Sequence, residues 1–206
     1  QQPPNVLIIL TDDQGYHDVG FNGCEDIPTP HIDRIAEEGV VFTQGYVSFA
    51  VCGPSRAGLI TGRYQDRFGF CRNPLLAPRD SLMGLPLSEQ TLATALQPAG
   101  YRSLALGKWH LGAHPSLWPR QRGFDEFFGF LSGGHDYFPE KWTLQDLADV
   151  RNQWDGYRTR LMRNEGRVDE TAYLTDALSR EAVDFIARQD PSQPFFIYLA
   201  YNAPHT

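Results

Sequence analysis

The sequence predicts an α/β fold, with a mostly parallel sheet that is flanked by helices on both faces. Short, continuously apolar segments alternate along the chain with segments whose apolar residues recur at helical spacing. Apolar runs of this kind are typical of parallel strands that are covered on both faces. We find no internal repeat and no low-complexity tract, so the alternation indicates right-handed crossovers between parallel strands.

The predicted strands are three apolar runs, at residues 6–10, 103–106 and 194–200. Two helices are predicted from proline near their first turn: one begins at Thr29-Pro30 and ends at Gly39, and the next begins at Pro54, with Cys52 just outside its N-terminus. The apolar face of the first helix consists of Ile32, Ile35 and Ala36.

The third predicted helix is capped by Ser88 and ends at Gly100, and the fourth spans about residues 171–188. Residues expected to face inward on these two helices are Leu92, Ala95, Leu96, Leu174, Leu178, Phe185 and Ile186. Proline and glycine among apolar residues predict a long surface loop at residues 72–87. Residues 112–167 show no sustained period, so we expect loops and short elements there.

The length, composition and charge of the chain exclude several classes of protein. The 206 residues suffice for one domain or a large piece of one, and 41% hydrophobic residues exclude disorder. A formal charge of -7 argues against a nucleic-acid partner, and no apolar run approaches the roughly 20 residues that span a bilayer. The start at residues 1–4 lacks Met and leads into a strand, which predicts an exported protein after signal-peptide removal, although trimming of the chain gives the same start.

Polar clusters directly follow the predicted strands, and they are expected to converge at the carboxyl edge of the sheet. Asp12-Asp13 predicts a hard divalent metal, or else a solvated turn. Lys108 and His110, two apart on an extended segment, would point the same way as a fixed cation and a proton carrier, or else both are solvated loop residues. His205 follows the third strand.

Cys52 lies at a helix start that favours an anion, with Arg56 one turn further on. The alternative is that Cys52 is a buried apolar residue and Arg56 a surface charge. Three cysteines are too few for a disulfide scaffold and lack zinc spacing. For Cys24 and Cys71, a disulfide and two separate thiols both remain open.

The sequence from Cys52-Gly53-Pro54-Ser55-Arg56 to Ile60-Thr61-Gly62-Arg63 resembles the signature of the formylglycine-dependent (type I) sulfatases. The second family signature, Gly-Tyr-x-Thr-x-x-x-Gly-Lys-x-His, is present at residues 100–110 with Ser103 in place of Thr. The family's opening Asn-Val and Asp-Asp and its late Pro-His also have counterparts, in residues 5–13 and 204–205. The resemblance therefore spans the chain.

The resemblance implies an alkaline-phosphatase-like fold and hydrolysis of sulfate esters. It implies that Asp12, Asp13 and Cys52 bind calcium, and that a maturation enzyme converts Cys52 to formylglycine, whose hydrated aldehyde is the nucleophile. Arg56 would hold the formylglycine and Lys108 the sulfate. His110 would assist the diol, and His205 would bind the substrate and protonate the leaving oxygen. The family's compartments imply a secreted, periplasmic or lysosomal protein.

One departure concerns the metal. The family takes further metal ligands from a downstream Asp-Asn or Asp-His pair and uses a second sulfate-holding lysine, but the sequence contains no Asp-Asn dipeptide. We therefore expect residues 1–206 to be the N-terminal part of a sulfatase catalytic domain, with the remainder and a smaller C-terminal domain absent from this chain.

The substrate implied is a sulfated carbohydrate, because the chain looks most like arylsulfatases that act on sulfated N-acetylgalactosamine or carrageenan-type galactans. An aromatic and arginine-rich stretch would line the sugar cleft or else pack in the core: Trp118, Arg120, Arg122, His135, Tyr137, Trp142 and Trp154. His135 is expected to be exposed by Gly133-Gly134 and to bind substrate. The alternatives are a phosphonate or phosphate ester hydrolase of the same superfamily and an inactive calcium- or sugar-binding relic.

Overall fold

A computed structural model describes residues 3–206, so the first two residues of the predicted mature N-terminus, Gln1 and Gln2, lie outside it. Within the described residues, six strands form one sheet in the order β1-β6-β2-β3-β4-β5. The strands are β1 (Val6–Asp12), β2 (Arg102–Lys108), β3 (Glu126–Phe130), β4 (Met162–Arg163), β5 (Gly166–Arg167) and β6 (Phe195–Pro204). The α-helices are α1 (Pro30–Glu38), α2 (Cys52–Thr61), α3 (Leu92–Leu96) and α4 (Leu174–Ala187).

Parallel pairing joins β1, β6, β2 and β3, and β4 and β5 add an antiparallel hairpin at the edge. This confirms the mostly parallel sheet and all three predicted strands. Strand β3 lies where only loops and short elements were expected. Its five residues include Gly129, which interrupts the apolar run and weakens the strand signal.

Side chains alternate across the central strand and build a core on each face of the sheet. Phe196 and Tyr198 of β6 belong to the core that includes residues of α2 and α3. Ile197 and Leu199 point the other way and pack with residues of α4. Helices therefore cover both faces, as predicted. Each fully buried side chain of this size stabilises the fold by about 1.5–3 kcal/mol.

The expectation that the first strand is covered on both faces is wrong. Strand β1 is at the edge of the sheet, and Leu7 and Ile9 are 44% and 50% exposed. Helix α4 packs on β6, β2 and β3, which leaves this face of β1 open in the described part of the chain. The apolar face of α1 is also exposed, with Ile35 64% accessible.

Two predicted helix starts need correction. Cys52 does not lie outside α2 but is its first residue, after Val51 as the N-cap. Helix α3 does not start from Ser88, because Thr91 is the N-cap and its hydroxyl accepts a hydrogen bond from the Thr94 amide. Ala95 is exposed there, and Ala93 is the buried residue. A 3-10 turn, Gln97–Ala99, then leads to Gly100.

The remaining expectations about elements hold. Helix α4 lies within the predicted range, with Leu174, Leu178 and Phe185 buried, although Ile186 is 41% exposed. Residues 72–87 contain no helix or strand. Cys24 and Cys71 are both free thiols, so the disulfide alternative is not realised. Over residues 3–206, no helix has the length and apolar character to cross a bilayer.

Candidate active site

The predicted polar residues meet because three adjacent strands end at the same edge of the sheet. Strands β1, β6 and β2 are neighbours and parallel. Their carboxyl ends carry Asp12, Lys108 and, one residue beyond β6, His205. The N-terminus of α2 adds Cys52 next to Asp12 and Asp13. The carboxyl edge of a parallel sheet is where α/β proteins bind ligands.

Asp12 is the centre of a buried charge cluster. One carboxylate oxygen, Oδ2, accepts a hydrogen bond from Lys108 Nζ at 2.5 Å, and Oδ1 accepts one from Arg56 Nη2 at 3.1 Å. Arg56 Nη1 also donates to the Lys108 carbonyl at 3.1 Å. All three side chains are at most 6% exposed. Arg56 is therefore a buried strut between the ends of β1 and β2, and its alternative role as a surface charge is wrong.

Asp12, Asp13 and Cys52 present a group of possible metal ligands. One ligand atom from each lies within 4.8 Å of the others. Two carboxylate oxygens suit a hard cation such as calcium, whereas a thiol suits it poorly and an oxygen at the same position would suit it well. The donor set therefore fits calcium in part. Three ligands fall short of the roughly six to eight that calcium takes, so further ligands have to come from elsewhere.

Two site residues have left-handed backbone conformations although neither is glycine. Asp13 has φ 59° and His110 has φ 52°. Such conformations cost energy and concentrate at functional sites. The segment from Lys108 to His110 is consequently not extended throughout, which corrects the predicted reason for the two side chains facing one site.

His110 is a buried, neutral histidine. Burial lowers its pKa well below the usual value, and the cations Lys108 and Arg56 add to that effect, as does His205. Its Nδ1 atom is buried and has no hydrogen-bond partner among the described residues. A Cβ atom at Gly133 would lie 2.8 Å from the imidazole, so the ring needs glycine there. The ring of His110 is thus neutral at physiological pH and, over the described residues, has an unpaired nitrogen inside the site.

His205 is held through its backbone and leaves its ring facing the acidic cluster. Its amide donates to the Asn202 carbonyl at 2.9 Å, and its carbonyl accepts a hydrogen bond from the Tyr137 hydroxyl at 2.5 Å. Imidazole Nε2 lies 3.7 Å from Asp13 Oδ2. The other ring nitrogen, Nδ1, is buried without a partner in the described part of the chain.

The expected exposure of His135 is wrong. The side chain is buried between the rings of Phe130 and Trp142, and both of its ring nitrogens face main-chain carbonyls. Burial lowers the pKa of His135 to about 4. The hydrogen bonds to the two main-chain carbonyls act in the opposite direction but are the smaller effect. Its backbone exchanges two hydrogen bonds with the Asn202 amide side chain, at 3.2 and 2.9 Å. His135 therefore fixes the segment before His205 and does not face the site.

The rest of the aromatic and arginine-rich stretch divides between core and surface. Trp142 is buried, whereas Trp154 is 72% exposed. Arg122 is buried and donates to three main-chain carbonyls of residues 85–89. Arg120 pairs with Glu165 at 2.6 Å. Of this set, the structure brings Tyr137 to the site, through His205.

Two site residues escaped the sequence analysis. Asn202 fixes the turn that carries His205, and Asn73 accepts a hydrogen bond from the Gly53 amide at 2.7 Å, next to Cys52. Asn73 lies in a proline-rich loop, where asparagine is ordinary, so nothing local distinguished it. Asn202 could have been suspected from its place between a buried strand and Pro204.

Fold and site together define an α/β protein in which two carboxylates, a cysteine, two cations and two histidines converge at the carboxyl edge of the sheet. Residues 4–206 match the family model described as Sulfatase. Human N-acetylgalactosamine-6-sulfatase is 40% identical over 215 residues, which cover 99% of this chain and 40% of that protein. Human arylsulfatase G is 38% identical over 221 residues, covering 99% of this chain and 42% of its own.

Solved structures agree with these relatives. The crystal structure of Ps i-CgsB in complex with k-i-k-neocarrahexaose matches with a TM-score of 0.90 and 46% identity, covering 100% of this chain and 46% of that one. The chain thus spans less than half the length of these proteins. It belongs to the sulfatase family.

Proposed function

We propose that the protein containing this chain hydrolyses sulfate esters on a sulfated carbohydrate. The observation that carries the proposal is the convergence of a cysteine, two buried cations and two histidines at one sheet edge, in a chain of the sulfatase family. A sulfate ester develops negative charge on its leaving oxygen, so fixed cations and a proton donor lower the barrier.

We assign the nucleophilic role to Cys52, after a maturation enzyme has converted it to formylglycine. The converted side chain supplies two geminal hydroxyls, one for attack on sulfur and one for the later release of sulfate. A serine or an unmodified cysteine has no such exit. The partly buried position of Cys52, as the first residue of α2, supports the assignment because the positive end of the helix dipole favours an anion there.

Asp12, Asp13 and Cys52 are the residues that would hold calcium. When bound, calcium supplies positive charge where the sulfate oxygens gather negative charge. Lys108 is the residue we assign to the sulfate, and Arg56 is the residue that would hold the formylglycine. The contacts of Arg56 with Asp12 and with the Lys108 carbonyl fix its guanidinium between the ends of β1 and β2. In the structure, the Asp12 carboxylate accepts a hydrogen bond from each of the two cations and so compensates their buried charge.

The two histidines receive different roles. His110 is neutral because its pKa is lowered, so it suits proton acceptance from the converted Cys52. His205 suits protonation of the leaving oxygen, because it comes from a different strand and its backbone is fixed by Asn202 and Tyr137. Substrate binding by His135, as first expected, is not part of the proposal, since its ring points inward.

For the substrate, we propose a sulfated N-acetylgalactosamine or a carrageenan-type galactan. The names of the 40% identical relative and of the saccharide in the 46% identical crystal structure support this class. We further propose that residues 1–206 form the N-terminal part of a catalytic domain, which receives its other metal ligands from elsewhere in the protein. Export to a secreted, periplasmic or lysosomal location remains our expectation.

The test uses the full-length protein, produced together with a formylglycine-generating enzyme. We expect sulfate release from 6-sulfated N-acetylgalactosamine or from sulfated carrageenan oligosaccharides, and none from the Cys52→Ala variant. Matched aryl sulfates and aryl phosphonates are compared in parallel. A large preference for the phosphonate would assign the protein to phosphoryl chemistry, and calcium or sugar binding without any turnover would indicate a relic.

A further inference from the structure

A groove lies beside the active site, and we have not assigned it a role so far. It has a volume of about 590 Å³ and is lined on one side by residues 68–75 and on the other by residues between Leu82 and Pro86. We call it the 68–86 groove. Its lining is largely apolar, with Phe68, Phe70 and Met83, and it includes the guanidinium-bearing Arg72.

One wall of the groove is fixed to the nucleophile's helix. Asn73, in this wall, accepts the hydrogen bond from Gly53, the residue after Cys52. The neighbouring residues Pro74 and Leu75 line both the groove and a small cavity that contains His110. The groove therefore lies next to the first turn of α2 and shares two of its lining residues with the cavity at His110.

The opposite wall is tied to the segment that carries His110. The Leu85 amide donates to the Leu111 carbonyl at 2.8 Å, and Gly84 forms an isolated bridge with Gly112. The Arg122 guanidinium donates a hydrogen bond from Nη1 to the Leu85 carbonyl at 3.0 Å. Both walls are thus anchored to active-site elements, which is how a pre-formed binding site is built.

The charge of this region is opposite to that of the chain. Residues 66–80 contain three arginines, Arg67, Arg72 and Arg79, and two aspartates, one at each end of the segment, so the segment has a net charge of +1, whereas the whole chain has a formal charge of -7. All three arginines are exposed, and none forms an ion pair within residues 3–206. Most other arginines are paired with carboxylates. Arginines without an ion-pair partner can bind anionic groups, and the apolar lining of the 68–86 groove can pack against the apolar face of a sugar ring. The region therefore suits a ligand that carries both.

We propose that the 68–86 groove binds a second, sulfated residue of the same saccharide chain whose ester enters the active site, with Arg72 contacting that residue's sulfate. The inference rests on the proposed function for its substrate class. It makes the protein selective for a chain bearing several sulfates over an isolated sulfated monosaccharide.

The test is binding of a sulfated neocarrahexaose to the full-length Cys52→Ala variant by titration calorimetry, with and without Arg72→Ala. We expect Arg72→Ala to weaken hexasaccharide binding about tenfold, since a charge-assisted hydrogen bond is lost, and the difference to shrink at high salt. Binding of a sulfated galactose monosaccharide should not change. Arg72→Lys should restore part of the affinity. Arg188→Ala, which removes a positive charge at the amino end of β3, is the matched control.

The outcomes separate the two proposals. Equal hexasaccharide affinity with and without Arg72, or an equal loss on both ligands, overturns the groove assignment even if the wild-type protein hydrolyses sulfate esters. Hexasaccharide binding that depends on Arg72 in a protein without any sulfate release would retain the groove and overturn the proposed function. In the active protein, Arg72→Ala should raise KM for the hexasaccharide and leave 4-nitrophenyl sulfate hydrolysis unchanged.

Discussion

Replacing Asp12 with Asn removes a negative charge that lies between two buried cations. Lys108 and Arg56 are 1% and 2% exposed, and each contacts a different oxygen of the Asp12 carboxylate. The substitution keeps the shape of the side chain and leaves both cations in place. We therefore expect Asp12→Asn to destabilise the fold, in addition to removing a ligand from the proposed calcium site.

The size of the effect follows from the contact distances. At an effective dielectric constant of about 20, unit charges at 2.5 and 3.1 Å attract by roughly 5 to 7 kcal/mol each. Much of this gross attraction offsets the hydration that the three groups lost on burial. Removing one partner of a buried ion pair has a net cost of about 3–5 kcal/mol, because the remaining charge is left uncompensated. The upper part of that range is expected here, since the Asn amide places an N–H donor against one of the two buried cations.

The neighbouring Asp13 supplies the control. Its side chain is 65% exposed and lies 3.7 Å from His205, so Asp13→Asn should change stability little while it also removes a candidate metal ligand. Urea unfolding of the full-length wild type and both variants, in the presence of a chelator, compares their free energies of unfolding without a metal contribution. Equal losses for Asp12→Asn and Asp13→Asn would refute the buried-charge reasoning.

Other changes test the site in turn. Cys52→Ala should remove nearly all turnover, and the intact mass of active wild type should be lower by ~18 Da, as expected for an aldehyde in place of a thiol; an active enzyme with an intact thiol would contradict the nucleophile assignment. His205→Ala should lower the rate by about 10²–10⁴-fold on esters of sugar alcohols and little on esters of very acidic phenols; an equal loss on both would assign His205 to binding. Gly133→Ala should displace the His110 ring, which a Cβ would approach to 2.8 Å, and so lower kcat while far-UV circular dichroism stays unchanged. Since the pKa of His135 is about 4 when folded and about 6.5 when unfolded, its contribution to stability is complete above pH 6.5 and falls as the pH drops toward 4. Chemical unfolding between pH 7 and 4 should show a roughly 3 kcal/mol steeper loss in wild type than in His135→Asn, and parallel curves would count against neutral burial.

The sequence predicts the site better than its surroundings. Asp12, Lys108 and His205 each come just after a short apolar run, and parallel strands in adjacent positions must bring their carboxyl ends together. The residues that hold those side chains in place were not predictable. Asn73 and Asn202 act through contacts with segments remote in sequence, which no local pattern encodes.

The wrong predictions about exposure, for His135 and for the first strand, share a cause. The exposure of a segment depends on which other segments of the chain pack on it. Gly133-Gly134 suggested an open backbone at His135, but two aromatic rings from elsewhere enclose it. The apolar run at residues 6–10 suggested a strand covered on both faces, but β1 is at the sheet edge and α4 does not reach it. Strand identity is local, whereas coverage is decided by the tertiary packing.

The position of β6 between β1 and β2 also determines when the parallel sheet can form, because β1 has no other neighbouring strand within residues 3–206. Val6 pairs with Phe196, so the first strand waits for almost the last described residues before it gains a neighbour. Pairings so remote in sequence are slow to form and leave apolar strands open to aggregation during synthesis, when chaperones would be needed. The late pairing of β1 with β6 also leaves the segment that begins at Cys52 accessible for longer during synthesis. Arg56 is buried once the sheet edge is complete, so the maturation enzyme that we propose for Cys52 would have to bind the segment from Cys52 to Arg56 on the nascent chain, before β6 pairs.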